Sequence, residues 1–306
     1  MEFTHPVRRR ARRIREVLAA AVVPPMWRSG VLIPAFWWDG HPNFGDAMTP
    51  WLLPRYGVVP LHRRVAEARL IGVGSILEFV PHDYSGAVWG SGLMEERTHP
   101  LTAARFLAVR GHHTRDLVGA PADTPLGDPG ILVARHLPRP RLRWEVGVVP
   151  HGHHRGNAEL ARLVARGGAR VRVINVHQGA AAAVREIASC SVIFSSSLHG
   201  LVTADSYGIP ATWTLLDPPL GGGDFKFRDY ESAATPGRSR YLEFDDRLTA
   251  DDVVRLGRRA DADIIASLGD GLAEAIDRLR ATAGELGRYP LGLLHMRADR
   301  DVRRSP

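Results

Sequence analysis

Short apolar runs that end in glycine or serine alternate with amphipathic stretches along most of the chain. VLIPAFWW (31–38), RLIGVGS (69–75), AVWGSG (87–92) and RFLAVRG (105–111) each read as a strand feeding a small-residue turn. LGDPGILVA (126–134) closes this first series. The pattern restarts after HLPRPRLRW (136–144), a Pro- and Arg-rich linker. Strand patterns at 145–152, 169–176, 191–197 and 209–216 then alternate with helical periodicity over 157–168, 181–190 and 198–208. Alternation of this kind predicts an α/β protein with two Rossmann-like, doubly wound domains facing a cleft. Past Tyr241 the signals become helical. Thr249 and Asp252 form a capping pattern before ADDVVRLGRRADADIIASLG (250–269), and a further helix runs to about Leu286.

These signals divide the chain into a basic lead-in (1–28), a first domain (29–135), the linker (136–144), a second domain (145–248), C-terminal helices (249–290) and a tail (291–306) expected to be disordered. The lead-in holds six arginines and two glutamates in residues 1–16, followed by VLAAAVVPPMW (17–27), which is too short and too proline-broken to cross a bilayer. It reads as a basic amphipathic helix, either solvated or in contact with a membrane surface or partner. The net charge of +7 is concentrated there and in RHLPRPRLR (135–143). No basic stripe crosses a folded element, and zinc-finger and RNP-type patterns are missing, so nucleic acid is not an expected partner. The single cysteine, Cys190, lies in an apolar setting and permits no intrachain disulfide, which fits a cytoplasmic chain.

The best-defined site is SSSLHGLVTADSYGIP (195–210). A strand delivers three serines to a helix N-terminus, with Ser197 as the expected cap. His199 and Gly200 then fall in the first turn, where free amides and the macrodipole favour an anion. His199 can bind such an anion or act as a general acid; an isolated histidine would more simply fill space.

The motifs together resemble the polysaccharide pyruvyl transferase family. They are NFGD (43–46), VRGHHTRD (109–116), LGDPGILV (126–133), VGVVPH (146–151), SSSLHGLVTADSYGIPATW (195–213) and FKFRDY (225–230), spanning most of residues 31–230. The resemblance implies a GT-B-like arrangement, with the acceptor on the first domain and the donor on the second. It implies transfer of the pyruvyl group of phosphoenolpyruvate to hydroxyls of a saccharide acceptor, free or lipid-linked, forming a ketal. Phosphoenolpyruvate is then a co-substrate, with no other cofactor. Many members carry an arginine before the Leu-His-Gly, where this chain has Ser197.

Such chemistry needs cations for a phosphate and a carboxylate, an acid for the methylene carbon, and a base for the hydroxyls. Ser196, Ser197, Gly200 and His199 suit the donor phosphate. Arg110 and Arg115 can hold the carboxylate, although Arg115 can equally pair with Asp116. Asp46 is the candidate base or a helix cap, and Asn43, Gly45 and His151 are placed on the acceptor side. HGHH (151–154) has no acidic or cysteine partner at ligand spacing, so no metal is expected. Trp37 and Trp38 can stack on a sugar or pack in the core. Asp261-Ala262-Asp263 has a DxD form but falls in a helical stretch. Two other readings stay open: a glycosyltransferase using a nucleotide sugar, and a non-catalytic carbohydrate-binding relative.

DFKFRDY (224–230) contains Lys226, the only lysine among 40 Lys and Arg residues. Read as an extended segment following Gly221–Gly223, it places Phe225 and Phe227 on one side and Lys226 on the other. There Lys226 either replaces the family arginine at the donor or pairs with Asp224 or Asp229.

Overall fold

The computed structural model describes residues 5–21, 23, 30–245 and 247–282. The expected tail and the ends of the lead-in lie outside the described residues. The lead-in is otherwise a helix, α1 (Pro6–Ala21).

Two all-parallel sheets follow. The first contains β1 (Val31–Phe36), β2 (Val58–His62), β3 (Leu70–Ile71), β4 (Ala87–Ser91) and β5 (Arg105–Val109), in the order β2-β1-β3-β4-β5. The second contains β6 (Trp144–Val149), β7 (Val171–Val173), β8 (Cys190–Ser195) and β9 (Ala211–Trp213), in the order β7-β6-β8-β9. The α/β reading with two doubly wound sheets therefore holds. Both sheets reverse direction of winding at the same place, between their first and third strands. Those are the switch points where loops part and a ligand crevice opens at the carboxyl ends. The central strands are apolar on both faces, as burial under helices requires: every residue of β4 is buried.

Three helices matter for the site: α2 (Met48–Leu52), α3 (His112–Val118) and, after α4 (Ala158–Gly167) and α5 (Ala180–Ala188), α6 (Leu198–Ser206). They are followed by α7 (Phe225–Ala234), α8 (Ala250–Leu256) and α9 (Ala262–Thr282).

Several expectations are corrected. Strand β2, from GVVPLH, was not anticipated. LGDPGILVA is no strand: Leu126 makes one bridge to Val109, and Asp128 then caps a 3-10 turn over Pro129–Arg135 by accepting the Gly130 amide. The helix expected over 250–269 breaks at Gly257. A side chain there would strike Val192 and Pro210, and Arg258 instead exchanges backbone hydrogen bonds with Ala211 at the sheet edge. The capping box of Thr249 and Asp252 forms as expected. Asp261 of the DxD sequence accepts the amides of Asp263 and Ile264, so it starts α9.

The C-terminal helices are not a separate unit. Ala250 and Val253 of α8 pack with Val146, Val148 and Val192 of the second sheet. Leu272, Ala275, Ile276 and Leu279 form an i, i+3, i+4, i+7 stripe on α9 that enters the core shared with Trp89 of the first sheet. Trp89 Nε1 donates to the Leu272 carbonyl at 3.0 Å. The chain thus crosses back and clasps the domain it began in. Leu272→Ala should destabilise the whole protein by about 2–5 kcal/mol. A urea midpoint close to wild type would show that α9 is a detachable appendage.

Candidate functional site

The first switch point supplies Asn43–Asp46. Asn43 makes an Asx turn: its Oδ1 accepts the Gly45 amide at 3.2 Å, and its Nδ2 donates to Asp46 Oδ2 at 2.7 Å. Asp46 is buried, and burial lifts its carboxyl to about 6; His199, Asn43 and Lys226 pull the other way. It does not cap α2, whose N-terminus has no side-chain cap. Gly45 lies flat against the His199 ring, so closely that a Cβ there would overlap the imidazole. Phe44 donates its amide to Val176 of the second half at 2.9 Å. The two switch points therefore touch.

The second switch point supplies Ser195–Gly200 and the turn after β6. Ser195 Oγ accepts the Ser197 amide and donates within the turn, so Ser197 is the N-cap of α6 without a side-chain cap bond. Among the described residues no hydrogen bond takes up the amides of Leu198 and His199, which leaves the first turn of α6 able to receive an anion. Ser196 is more committed than expected. His154 Nε2 lies 3.0 Å from the Pro218 carbonyl and must donate there, so its Nδ1 accepts from Ser196 Oγ at 3.0 Å. Ser196 Oγ also accepts the His151 amide. Its hydroxyl wires two loops together and is not a free donor ligand. Burial, and then the Lys226 charge, push His151 down to about 2. It is neutral, its Nδ1 accepts the His153 amide at 3.3 Å, and so its proton sits on Nε2.

His199 Nε2 faces Asp128 Oδ2 across 3.4 Å. Both groups are buried, and among the described residues neither atom has a hydrogen bond that closes the gap. Asp128 was not among the expected site residues, although its LGDPG sequence is one of the motifs.

Lys226 reaches this corner by a different route from the one expected. DFKFRDY is the start of α7, not an extended segment. Phe225 enters the core of the first domain and Phe227 stacks on Trp213, with ring centroids 4.5 Å apart. Lys226 is held between them, only 4% exposed. It pairs with neither neighbouring aspartate: Asp224 takes Arg228 and Asp229 takes Arg110. Among the described residues no hydrogen bond or ion pair satisfies its ammonium. Burial, reinforced by Arg110 and opposed by Asp46, lowers it to about 8.

Arg110 is fully buried. It donates to Asp229 Oδ2 at 2.8 Å, to Ser75 Oγ at 2.5 Å and to the Leu93 carbonyl at 2.5 Å. It shapes the cation environment of Lys226 from behind. Arg115 is not brought to the site: it pairs with Asp116 and the Ala122 carbonyl on the surface. The structure thus gathers Gly45, Asp46, Asp128, His199, Gly200, His151 and Lys226, with Asn43 and Ser196 bracing them.

Beside Asn43 lies a cavity of about 220 Å³, also lined by Glu16, Trp37, Trp38, His177 and Gln178. Glu16 Oε2, His177 Nε2 and Gln178 Nε2 are buried with no hydrogen bond among the described residues. Burial raises Glu16 to about 7. Among the described residues no group of three or more His, Cys, Asp or Glu is arranged to hold a metal ion.

The SLHG turn and the strand before it lie within residues 140–217, and these match a known family profile. That profile is polysaccharide pyruvyl transferase. The resemblance drawn from the motifs is borne out. Two relatives share more of the chain. The succinoglycan biosynthesis protein ExoV of Rhizobium meliloti (strain 1021) is 27% identical over 205 residues, 64% of this chain and 63% of its own length. The uncharacterized protein L143 of Acanthamoeba polyphaga mimivirus is 29% identical over 166 residues, 51% of this chain and 58% of its own. The chain spans less than two thirds of either relative. A solved glycosyltransferase of avilamycin A biosynthesis, AviGT4, is 15% identical over 72% of this chain and 76% of its own, at a TM-score of 0.32.

Keeping Lys226 charged inside the folded protein costs roughly 3 kcal/mol, from the fall between 10.5 and about 8. Lys226→Met should therefore raise the melting temperature by several degrees at neutral pH. Below about pH 8 the lysine is charged folded or unfolded, and the full cost applies. Between there and 10.5 the folded protein has released the proton and the unfolded chain has not, so wild-type stability rises and the advantage of methionine fades. Equal melting curves at neutral pH would mean that the ammonium is satisfied.

Proposed function

We propose that the protein is a pyruvyl transferase that moves the pyruvyl group of phosphoenolpyruvate onto two hydroxyls of a saccharide. The observation that carries this reading is the buried ammonium of Lys226, without a hydrogen bond or ion pair among the described residues, beside Asp46 and the His199 turn, the last of which lies within the matched residues 140–217. A folded protein keeps such a charge where it has an anionic ligand to meet. The relative named for succinoglycan biosynthesis supports a polysaccharide acceptor.

In this reading the free amides of α6 and Lys226 take the donor's anionic groups, and Lys226 supplies the charge that Ser197 lacks. Asp128 orients His199, which delivers a proton to the methylene carbon. Positive character develops at the adjacent carbon, where the first sugar hydroxyl adds as its proton passes to Asp46. Phosphate departs with the C–O bond electrons, and the second hydroxyl closes the ketal. Of the two hydroxyl protons, one restores the acid and one leaves with phosphate. The neutral His151 Nε2–H and the cavity beside Asn43 suit the acceptor; its orphaned polar atoms and two tryptophans match a sugar's hydroxyls and apolar face.

Thermal-shift measurements test the donor. Phosphoenolpyruvate should stabilise the protein while UDP and GDP do not, and the reverse would replace the reading with a nucleotide-sugar transferase. With an acceptor, kcat/KM should rise through about pH 6 as Asp46 ionises and fall through about pH 8 as Lys226 loses its charge. A donor phosphate also ionises near pH 6. Asp46→Asn separates the two, keeping only the donor's limb and losing about 10²–10⁴ in rate.

Lys226→Arg keeps the charge but places a wider, planar group in front of Arg110. Phosphate release at saturating donor should fall about 10²-fold. Wild-type turnover would remove Lys226 from the site.

A further inference from the structure

Helix α1 is docked with its charged side inward. Arg13 donates to Asp39 Oδ2 at 2.7 Å and Arg12 to the Asp39 carbonyl at 2.7 Å. Arg9 lies 3.9 Å from the same carboxylate, and Glu16 faces the cavity behind it. At 3.6 residues per turn, Val7, Ala11, Ile14 and Leu18 then form one stripe on the opposite side. That stripe faces outward: Val7 is 68% exposed, Ile14 53% and Leu18 65%. Arg10 flanks it on one side and Arg8 and Arg15 on the other, all exposed and, among the described residues, without ion pairs; Arg15 also borders the cavity that Glu16 faces. The described part of α1 has no acid on this face. Next to it an open groove of about 810 Å³ is lined by Arg9, Arg10, Arg13, Arg63 and Arg64, against Asp39 and Glu67.

A soluble surface helix buries its apolar stripe and shows its charges; α1 packs Val17 and Ala20 against Val59, Leu32 and Leu61 but turns Arg9, Arg12 and Arg13 inward and leaves the Val7–Leu18 stripe in water. We infer that α1 docks the protein on an anionic lipid bilayer, with Val7, Ile14 and Leu18 in the acyl boundary and the flanking arginines on headgroup phosphates. Charge complementarity selects lipid over a second copy of the chain. Pairing two such stripes would bring Arg8, Arg10 and Arg15 against the same residues of the other copy with no acid between them. Duplex DNA would satisfy the arginines and leave the apolar stripe in water. Among the described residues no helix is long and apolar enough to cross a membrane, so contact by this helix is superficial. The inference is independent of the donor chemistry.

Flotation of the full chain with vesicles tests it. The protein should rise with vesicles of equal parts phosphatidylglycerol and phosphatidylcholine and stay behind with phosphatidylcholine alone. Ile14→Glu with Leu18→Glu changes only exposed positions and should weaken binding at least about tenfold at an unchanged melting temperature. Each of Arg8→Gln, Arg10→Gln and Arg15→Gln should weaken it about fivefold. No flotation with anionic vesicles, or undiminished flotation of the double glutamate variant, would overturn the proposal. So would a wild-type dimer that the double variant converts to monomers without either binding vesicles; that result would put a second copy on the stripe.

Discussion

The site depends on one buried ion pair. Asp229 on α7 closes on Arg110 at the end of β5, with both groups fully buried, and Asp229 also accepts the Thr114 amide at 2.7 Å and the Thr114 hydroxyl at 2.6 Å. Such a pair contributes little net stability once desolvation is counted, but losing one partner strands the other. Its role here is positional. It fixes α7, a segment arriving from the second sheet, against α3 of the first. Gly111 makes the approach possible, since a side chain there would run into the Asp229 backbone. With α7 pinned, Lys226 is left only 4% exposed.

That placement explains why a lysine occurs where the rest of the chain uses arginine. Arg110 already fills the space behind with a guanidinium satisfied by Asp229, Ser75 and Leu93. A lysine ammonium, unlike a second guanidinium, is a compact cation on a thin stem whose charge can be tuned by burial. Asp46 is the complementary case, a carboxylate made more basic by the same burial. Opposed shifts in neighbouring groups are the arrangement that lets an acid and a base coexist near neutral pH. Each group is held at a cost in stability that the surrounding network supports. A second buried network, in which Arg240 bridges Asp205 and Glu231 while Tyr230 donates to Asp205, locks α6 to the far end of α7. The His199 turn and Lys226 are therefore parts of one rigid frame.

The two halves also meet through Gly45 and the His199 ring, and behind them a continuous core runs from Phe44 and Met48 to Leu198 and Val202. Because α9 returns to the first sheet, the chain cannot open its cleft by a hinge at the linker alone. The same economy places α1. Its inward arginines converge on Asp39 beside the cavity next to Asn43, and its outward stripe follows from that docking.

Much of this was legible in one dimension. Apolar runs marked eight of the nine strands among the described residues closely enough to name the fold, since burial of parallel strands under helices dictates that composition. The Leu-His-Gly turn, Asn43–Asp46 and the solitary lysine stood out because strand-to-helix junctions and compositional outliers are local features. What the sequence could not decide was partnership. Whether Arg110 meets a ligand or Asp229, 119 residues away, depends on how α7 packs. One oxygen of Asp128 caps a turn, a local role, yet its second oxygen faces His199 only once the two halves pack together. The helical state of FKFRDY was settled by two separate cores claiming Phe225 and Phe227, overriding a pattern that alternation alone reads as extended. Sequence by itself determined which chemistry was present and near which strand end it lay. Tertiary structure decided which charges are neutralised and which stay free, because burial and pairing are set by contacts between residues far apart in the chain.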